Sequence, residues 1–366
     1  MAEGDAAGLE ALRPRAWPNL AEEHDAAWHR RLYAWLATHP MAEQLHRWVI
    51  DADGEIVGHL AAVPQWYRIG GRRVLAHTPA DYMVLPQYGF HAVLLMRTCF
   101  KVIDNCVSCD APPQVIAIES RFGAVAAADL DYGIKPLVLA NRSAGGSPLA
   151  RAGLGVAGAY LHTVDRVMGR TAGGKLTAAI LPDFDASFDA LLEAVAAVEP
   201  CVLEKDQAFL RWRYGAGSPQ APVTILGIKE DEMEGERLLG YAVLRQGPQR
   251  VGYILDLLTL PGRADVSRAL LRDSLSHLRS AGAYVVRYRL IPSQASVTRR
   301  LVRRFGFVDR QGSLVNRVLP HLPRFKESRP YTLLVKFADA GADETARVGS
   351  HWTYSFGDTE ASFWVG

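Results

Sequence analysis

Residues 84–97, VLPQYGFHAVLLMR, decide how this chain is read. The apolar run ADYMVL (80–85) predicts a short strand. A turn at Pro86–Gly89 then opens a helix over 91–104, with Leu94, Leu95, Thr98 and Val102 near helical spacing. Where a strand feeds a helix N-terminus, free backbone N–H groups can hold a phosphate. Such loops usually carry several glycines, so that the backbone approaches the anion closely. This one has Gly89 only, with Tyr88, Phe90 and His91 around it. It is either a reduced phosphate cradle or an ordinary strand–helix turn.

The flanking sequence gives the turn a setting. RWVIDADGEIVGHLAAVPQWYRI (47–69) reads as two strands around Asp51–Gly54, and GGRR (70–73) turns the chain into a third. Strands 47–52, 55–68 and 72–84 are expected as an antiparallel meander continued by a strand at 114–118. SRFGAVAAADLDYG (120–133) is expected as a second helix, and IKPLVLANR (134–142) as a further strand. The order repeats later. APVTILGIKE (221–230), RLLGYAVLRQ (237–246) and RVGYILDLLTL (250–260) are strands. The helix ADVSRALLRDSLSHLRSAG (264–282), the strand AYVVRYRL (283–290), the helix SQASVTRRLVRRFG (293–306) and the strand RPYTLLVKF (329–337) follow. Two copies of one domain are therefore expected, at 1–145 and 206–366, joined by a segment at 146–205.

Composition sets the outer bounds. The chain has 366 residues, 49% hydrophobic and 22% charged, which is ordinary for a globular protein and long for a single core. A net charge of +2 gives no electrostatic case for nucleic acid. The acidic N-terminal stretch does not read as a signal peptide, and no apolar run approaches the length of a membrane span. Four cysteines are too few for a disulfide scaffold of this size, and a cytoplasmic setting is expected.

Antiparallel hairpins followed by strand–helix–strand–helix–strand, with Gly-Phe after the last helix, resemble the GNAT acyltransferase superfamily. EIVGHLAAV (55–63) and RLLGYAVLR (237–245) are similar to its second strand. LPQYGFHAVLL (85–95) is similar to its pyrophosphate loop and the following helix. LDYGIKP (130–136) and RRFGFVD (303–309) are similar to the end of its second crossover helix. FLRWRYGAGSP (209–219) and HWTYSFGDTE (351–360) also resemble pieces of two-domain bacterial members. The resemblance implies α/β (α+β) architecture: two GNAT-like domains, each a mixed, mainly antiparallel twisted sheet flanked by helices. It also implies acetyl-CoA or another acyl-CoA as co-substrate, no metal, and a cofactor wedge between the splayed fourth and fifth strands of each sheet.

The site follows from the same resemblance. The cofactor loop maps onto Val84, Leu85, Gln87, Tyr88, Gly89, Phe90, His91, Ala92 and Val93. The family's leading cation and middle glycine are missing there, with Gln87 a substitute polar contact. In the second half LPGRADVSRALL (260–271) keeps Arg263 but carries Ala264 and Val266 where glycine is usual. Acyl transfer to an amine needs a proton acceptor. Asp81 and Asp256, each in an apolar strand leading to one of these loops, are the candidate catalytic carboxylates, since burial would raise their pKa toward a useful range. Strand-end aspartates bonded to backbone or arginine are the alternative. The family's frequent acid, a tyrosine four residues before the Gly-Phe glycine, is replaced by Asp129 before Gly133 and by Val302 before Gly306.

Other motifs carry less. Cys106 and Cys109 have metal-like spacing but no second ligand pair nearby. His46, His59, His77 and His91 are scattered, with only His91 at a helix start. The arginines of TRRLVRR (298–304) form a solvated helix face, or steer an anionic partner. The aromatic tail, with Trp352, Tyr354, Phe356, Phe363 and Trp364, is expected to pack back on a domain. The leading function is acyl-CoA-dependent N-acyltransfer, most simply acetyl transfer, to a small or sugar-linked amine by a monomer or homodimer. A GNAT-like binding module with no catalysis is the alternative from another class. An aminoacyl-tRNA-dependent peptidyl transferase of the same fold is a third.

Overall fold

A computed structural model describes residues 5–18, 26–110, 112–137, 163–165, 167–168, 176–232, 235–247, 250–292, 297–309, 330–360 and 362. Helices α1 (Asp5–Ala16) and α2 (Ala26–Ala37) precede a meander of β1 (His46–Ala52), β2 (Glu55–Ile69) and β3 (Arg72–Val84). Both hairpins turn on two residues of positive φ, Asp53–Gly54 and Gly70–Gly71. That is the twist two-residue hairpins require, and it fixes the register Ala52↔Glu55 and Ile69↔Arg72. Next come α3 (Gly89–Val102), β4 (Cys106–Asp110), α4 (Pro113–Arg121), β5 (Val125–Asp129) and β6 (Asp131–Pro136).

The remaining elements are β7 (Ala179–Leu181), α5 (Ala186–Ala196), β8 (Cys201–Leu203) and α6 (Gln207–Tyr214), then the meander β9 (Thr224–Glu232), β10 (Gly235–Gly247) and β11 (Val251–Thr259). Helix α7 (Ala264–Ser280), β12 (Val285–Ile291), α8 (Arg299–Arg304), β13 (Val308–Asp309), β14 (Thr332–Lys336), α9 (Ala340–Ala346) and β15 (Trp352–Ser355) complete the chain. The result is a large mixed, mostly antiparallel sheet flanked by helices, in the continuous order β5-β14-β4-β3-β2-β8-β15-β12-β11-β10-β9-β7.

Three expectations are corrected here. Residues 114–118 are not a strand but the middle of α4. The short run VIAI fits either state on periodicity. Pro113 at the first helical position favours a helix, and Val115, Ile116 and Phe122 then fall on one face packed toward α3. Residues 120–133 are not a second helix: the chain turns at Gly123 (φ 95°) and continues as β5 and β6. The alanines of β5 favour a helix by propensity, but pairing with β14 overrides it. It follows that 130–136 does not end a crossover helix. Cys106 and Cys109 lie on β4, and all four cysteines are buried free thiols.

The two halves exchange strands. β14, late in the chain, inserts between β4 and β5, pairing Leu333 with Cys109 on one side and with Ala128 on the other. β6, from the first half, pairs antiparallel with β12 over Val285–Leu290. A second tie joins α2 to α6. The Trp35 and Trp212 rings stack 4.2 Å apart, and each indole N–H donates to the other residue's carbonyl, at 2.7 and 3.1 Å. Trp352 and Tyr354 pack into the first-half core and Phe356 into the second, so this part of the tail is buried. Phe363 and Trp364 lie outside the described residues. No described helix is long and apolar enough to cross a membrane.

A chain cut back to residues 1–137 keeps β4 and β5 but loses the strand both pair with. We expect it to show no cooperative transition in a circular-dichroism melt, whereas the full chain melts cooperatively. A sharp melt of the fragment contradicts this topology.

Candidate active site

Each half contains a fork between two parallel strands. In the second half β11 and β12 pair from Val251↔Val285 to Ile254↔Tyr288 and then part. β6 covers the other edge of β12, so β15, which pairs with Leu290 and Ile291, takes the edge that β11 has left. The second fork is thus filled by the chain itself. In the first half β3 and β4 pair only at His77↔Cys106, with the Thr78 hydroxyl donating to the Val107 carbonyl at 2.7 Å. Beyond that point no described strand pairs with β4 on this side. Both departing strands carry a bulge at the fork: Asp81 and Tyr82 oppose Leu60, and Leu255 is the extra residue in β11. Both then run through the same pattern, Asp81-Tyr-Met-Val-Leu-Pro86 and Asp256-Leu-Leu-Thr-Leu-Pro261.

The predicted cradle lies beyond the first fork. Val84 ends β3, and Leu85 is buried with its N–H on the Val57 carbonyl at 3.0 Å. Pro86–Tyr88 forms one 3₁₀ turn with Gln87 exposed, and the Gly89 N–H bonds back to the Pro86 carbonyl. Helix geometry leaves the next amides, of Phe90 and His91, without intrahelical acceptors, and no side chain caps them. Gly89 has ordinary helical φ (−55°), and an added Cβ would meet nothing within 4 Å. The Tyr82 hydroxyl donates to the Ala92 carbonyl at 2.6 Å, tying the first turn of α3, with Val93 beside it, to β3. In the second half Arg263 is turned onto Asp265 at 2.9 Å, so its charge is already matched.

The two candidate carboxylates are both buried and paired. Asp81, at φ 52°, binds the Arg13 guanidinium, accepts from the Tyr33 hydroxyl at 2.9 Å and faces His59 Nδ1 at 3.0 Å. Burial pulls His59 well below the usual imidazole range and keeps it neutral, and its Nε2 is buried without a described partner. Asp256 accepts from Lys205 Nζ at 2.8 Å, Tyr241 at 2.8 Å and Ser355 Oγ at 3.0 Å. Lys205 also holds Asp358 at 2.9 Å. Burial alone would lower Lys205, but Asp256 and Asp358 together raise it above its ordinary value, so it is a fixed cation. Only about 10 Å³ remains beside this cluster, roughly room for one water.

Sequence reading missed Glu119. It lies on α4, fully buried, with the Ser108 hydroxyl on one carboxyl oxygen and no described partner on the other. Burial and the neighbouring Asp110 push Glu119 well above the usual carboxylate range, and burial pushes Asp110 up to about 6. Glu119 is therefore a neutral acid held against β4. The missed signal was a repeat: Arg121-Phe122-Gly123 and Arg304-Phe305-Gly306 end α4 and α8 with glycines at φ 95° and 75°. The glycine closing the first crossover helix is thus Gly123, not Gly133. Four residues before it stands Glu119, not Asp129.

No protein-family model and no curated protein matches the sequence. Solved structures do. A GCN5-related N-acetyltransferase from Anabaena variabilis matches with a TM-score of 0.53 at 13% identity, over 92% of this chain and 71% of that one. One from Kribbella flavida matches with a TM-score of 0.53 at 13% identity, over 93% and 72%. An N-myristoyltransferase from Saccharomyces cerevisiae, solved with myristoyl-CoA and inhibitors, gives 0.53 at 11% identity, over 92% and 78%. The chain has the GNAT fold.

Two measurements check these charge assignments. Lys205→Met leaves two buried carboxylates facing each other and should cost about 3–5 kcal/mol in urea unfolding. Asp110 and Glu119 have folded pKa values above their unfolded ones. Their contribution to stability is therefore full below about pH 4 and is lost as pH rises, for Asp110 through about 6. Glu119→Gln should then gain stability over the parent at pH 7 and lose that advantage at pH 4.

Proposed function

We propose that the protein is an acyl-CoA-dependent N-acyltransferase whose working site is the first fork. One observation carries the reading: of two forks built on the same strand–bulge–Leu-Pro–helix plan, the second is packed with the chain's own β15. The first leads, with no described strand in it, to an uncapped helix N-terminus. The fold neighbours support the class, and the Anabaena variabilis and Kribbella flavida structures are described as N-acetyltransferases. We read the second half, with its filled fork, as a supporting unit without its own turnover.

In this reading the amides of Phe90 and His91 receive the pyrophosphate at the positive end of α3. The arm of the cofactor runs back along β3 toward the bulge at Asp81. An acceptor amine attacks the thioester carbonyl, forming the C–N bond and breaking the C–S bond. The amine gives up a proton to a base or water, and the departing sulfur takes one. Glu119, held neutral by burial, is the group suited to supply that second proton. The Asp81 carboxylate, held by Arg13, Tyr33 and His59, is better suited to fixing the bulge than to accepting a proton. Acetyl is the proposed acyl group and a small or sugar-linked amine the proposed acceptor. A fungal glucosamine N-acetyltransferase region is among the fold neighbours, with a TM-score of 0.51 at 12% identity.

Calorimetry with coenzyme A and acetyl-CoA tests the reading, and no binding at millimolar cofactor defeats it. Gly89→Val adds a side chain that meets no protein atom within 4 Å of its Cβ, next to the Phe90 amide. It should abolish binding while leaving the melting temperature within a few degrees of the parent. Gly262 sits at φ 77°, so Gly262→Val should lower the melting temperature yet keep cofactor affinity.

A further inference from the structure

The tail crosses from one fork to the other. Asp358 is fixed in the second fork by Lys205 and by the Ser355 N–H at 2.8 Å. The buried Arg213 guanidinium donates to the Gly357 carbonyl at 2.9 and 2.7 Å and to the Thr359 carbonyl at 2.6 Å. The next residue, Glu360, is half-buried, and one carboxyl oxygen accepts the Asp81 N–H, 279 residues away in sequence. That amide belongs to the bulge at the open fork, where the ladder with β2 is interrupted. It is a donor fixed in place by the paired Asp81 side chain and turned to an oxygen acceptor.

We propose that Glu360 is a specificity-determining residue: its carboxylate occupies the Asp81 amide as a removable stand-in for the carbonyl oxygen of a bound acyl thioester. The inference rests on the acyltransferase reading. A preset backbone donor at a fork that takes a thioester is suited to a carbonyl oxygen, whose negative charge grows during attack. Free coenzyme A has no such oxygen and leaves Glu360 where it is. An acylated coenzyme must displace it, so the two forms differ in affinity by the strength of the contacts Glu360 makes there, its attraction to the buried Arg13 included. The second fork, which holds the preceding residues, sets where Glu360 lies and thereby acts on the first.

The test compares coenzyme A with acetyl-CoA by calorimetry in the parent, Glu360→Gln and Glu360→Ala. Glu360→Ala should tighten acetyl-CoA binding about tenfold and change coenzyme A by less than twofold. Glu360→Gln, which keeps an oxygen but loses the charge, should fall between. Hydrogen exchange reads the contact without any ligand, and the Asp81 amide should exchange faster in Glu360→Ala. An unchanged ratio of the two affinities, or an unchanged Asp81 exchange rate, overturns the role given to Glu360. If neither coenzyme binds any of the three proteins, the acyltransferase reading itself has failed and the stand-in role goes with it.

Discussion

Two parallel strands cannot part without leaving a row of backbone N–H and carbonyl groups along each inner edge, and inside a protein those groups must find partners. This chain meets the demand twice, in different ways. Between β11 and β12 it supplies β15, and around that strand it builds a buried cluster of one lysine and two aspartates. Between β3 and β4 it supplies single contacts: a threonine hydroxyl to a strand carbonyl and a glutamate to a bulge amide. One fork is closed as tightly as a core. The other is closed by single side-chain contacts. The proposed assignment of a supporting half and a working half rests on that contrast.

The forks also explain why one local sequence has two outcomes. Asp81 and Asp256 begin the same Asp-x-x-x-Leu-Pro run, and both are ion-paired in the interior. Around Asp256 the partners come from the tail, from β10 and from the segment before α6, and they lock the chain. Around Asp81 they come from α1, α2 and β2, and they hold a bulge whose amide faces the fork. Burying such ions is costly and adds little net stability. What it secures is geometry: a backbone donor held at a fixed place without a strand beside it.

The sequence made the hairpins legible, because Asp-Gly and Gly-Gly are the turns that two-residue loops demand, and it made α3 legible through its apolar stripe. The repeated order of elements was legible for the same local reasons. It hid whatever depends on partners far along the chain. An alanine-rich β5 looks helical until β14 lies against it, and VIAI looks extended until its face meets α3. That misreading moved the end of the crossover helix from Gly123 to Gly133 and drew attention from Glu119 to Asp129. The repeat Arg-Phe-Gly at 121–123 and 304–306 was visible throughout. Glu360 carried no local signal, since its position depends on a strand and a clamp from the other half.

The exchanged strand has a cost paid on the ribosome. β5 ends at Asp129, and its partner β14 begins at Thr332, roughly 200 residues later. At about 5–20 residues per second, the interval between the two is on the order of 10–40 s. Through that time β4 and β5 present bare edges, and edges of this kind invite pairing with other chains. The first sheet therefore closes only after β14 has been made. A slowed or truncated translation product harms the N-terminal sheet as much as the C-terminal one, although every residue of β1–β6 is already made.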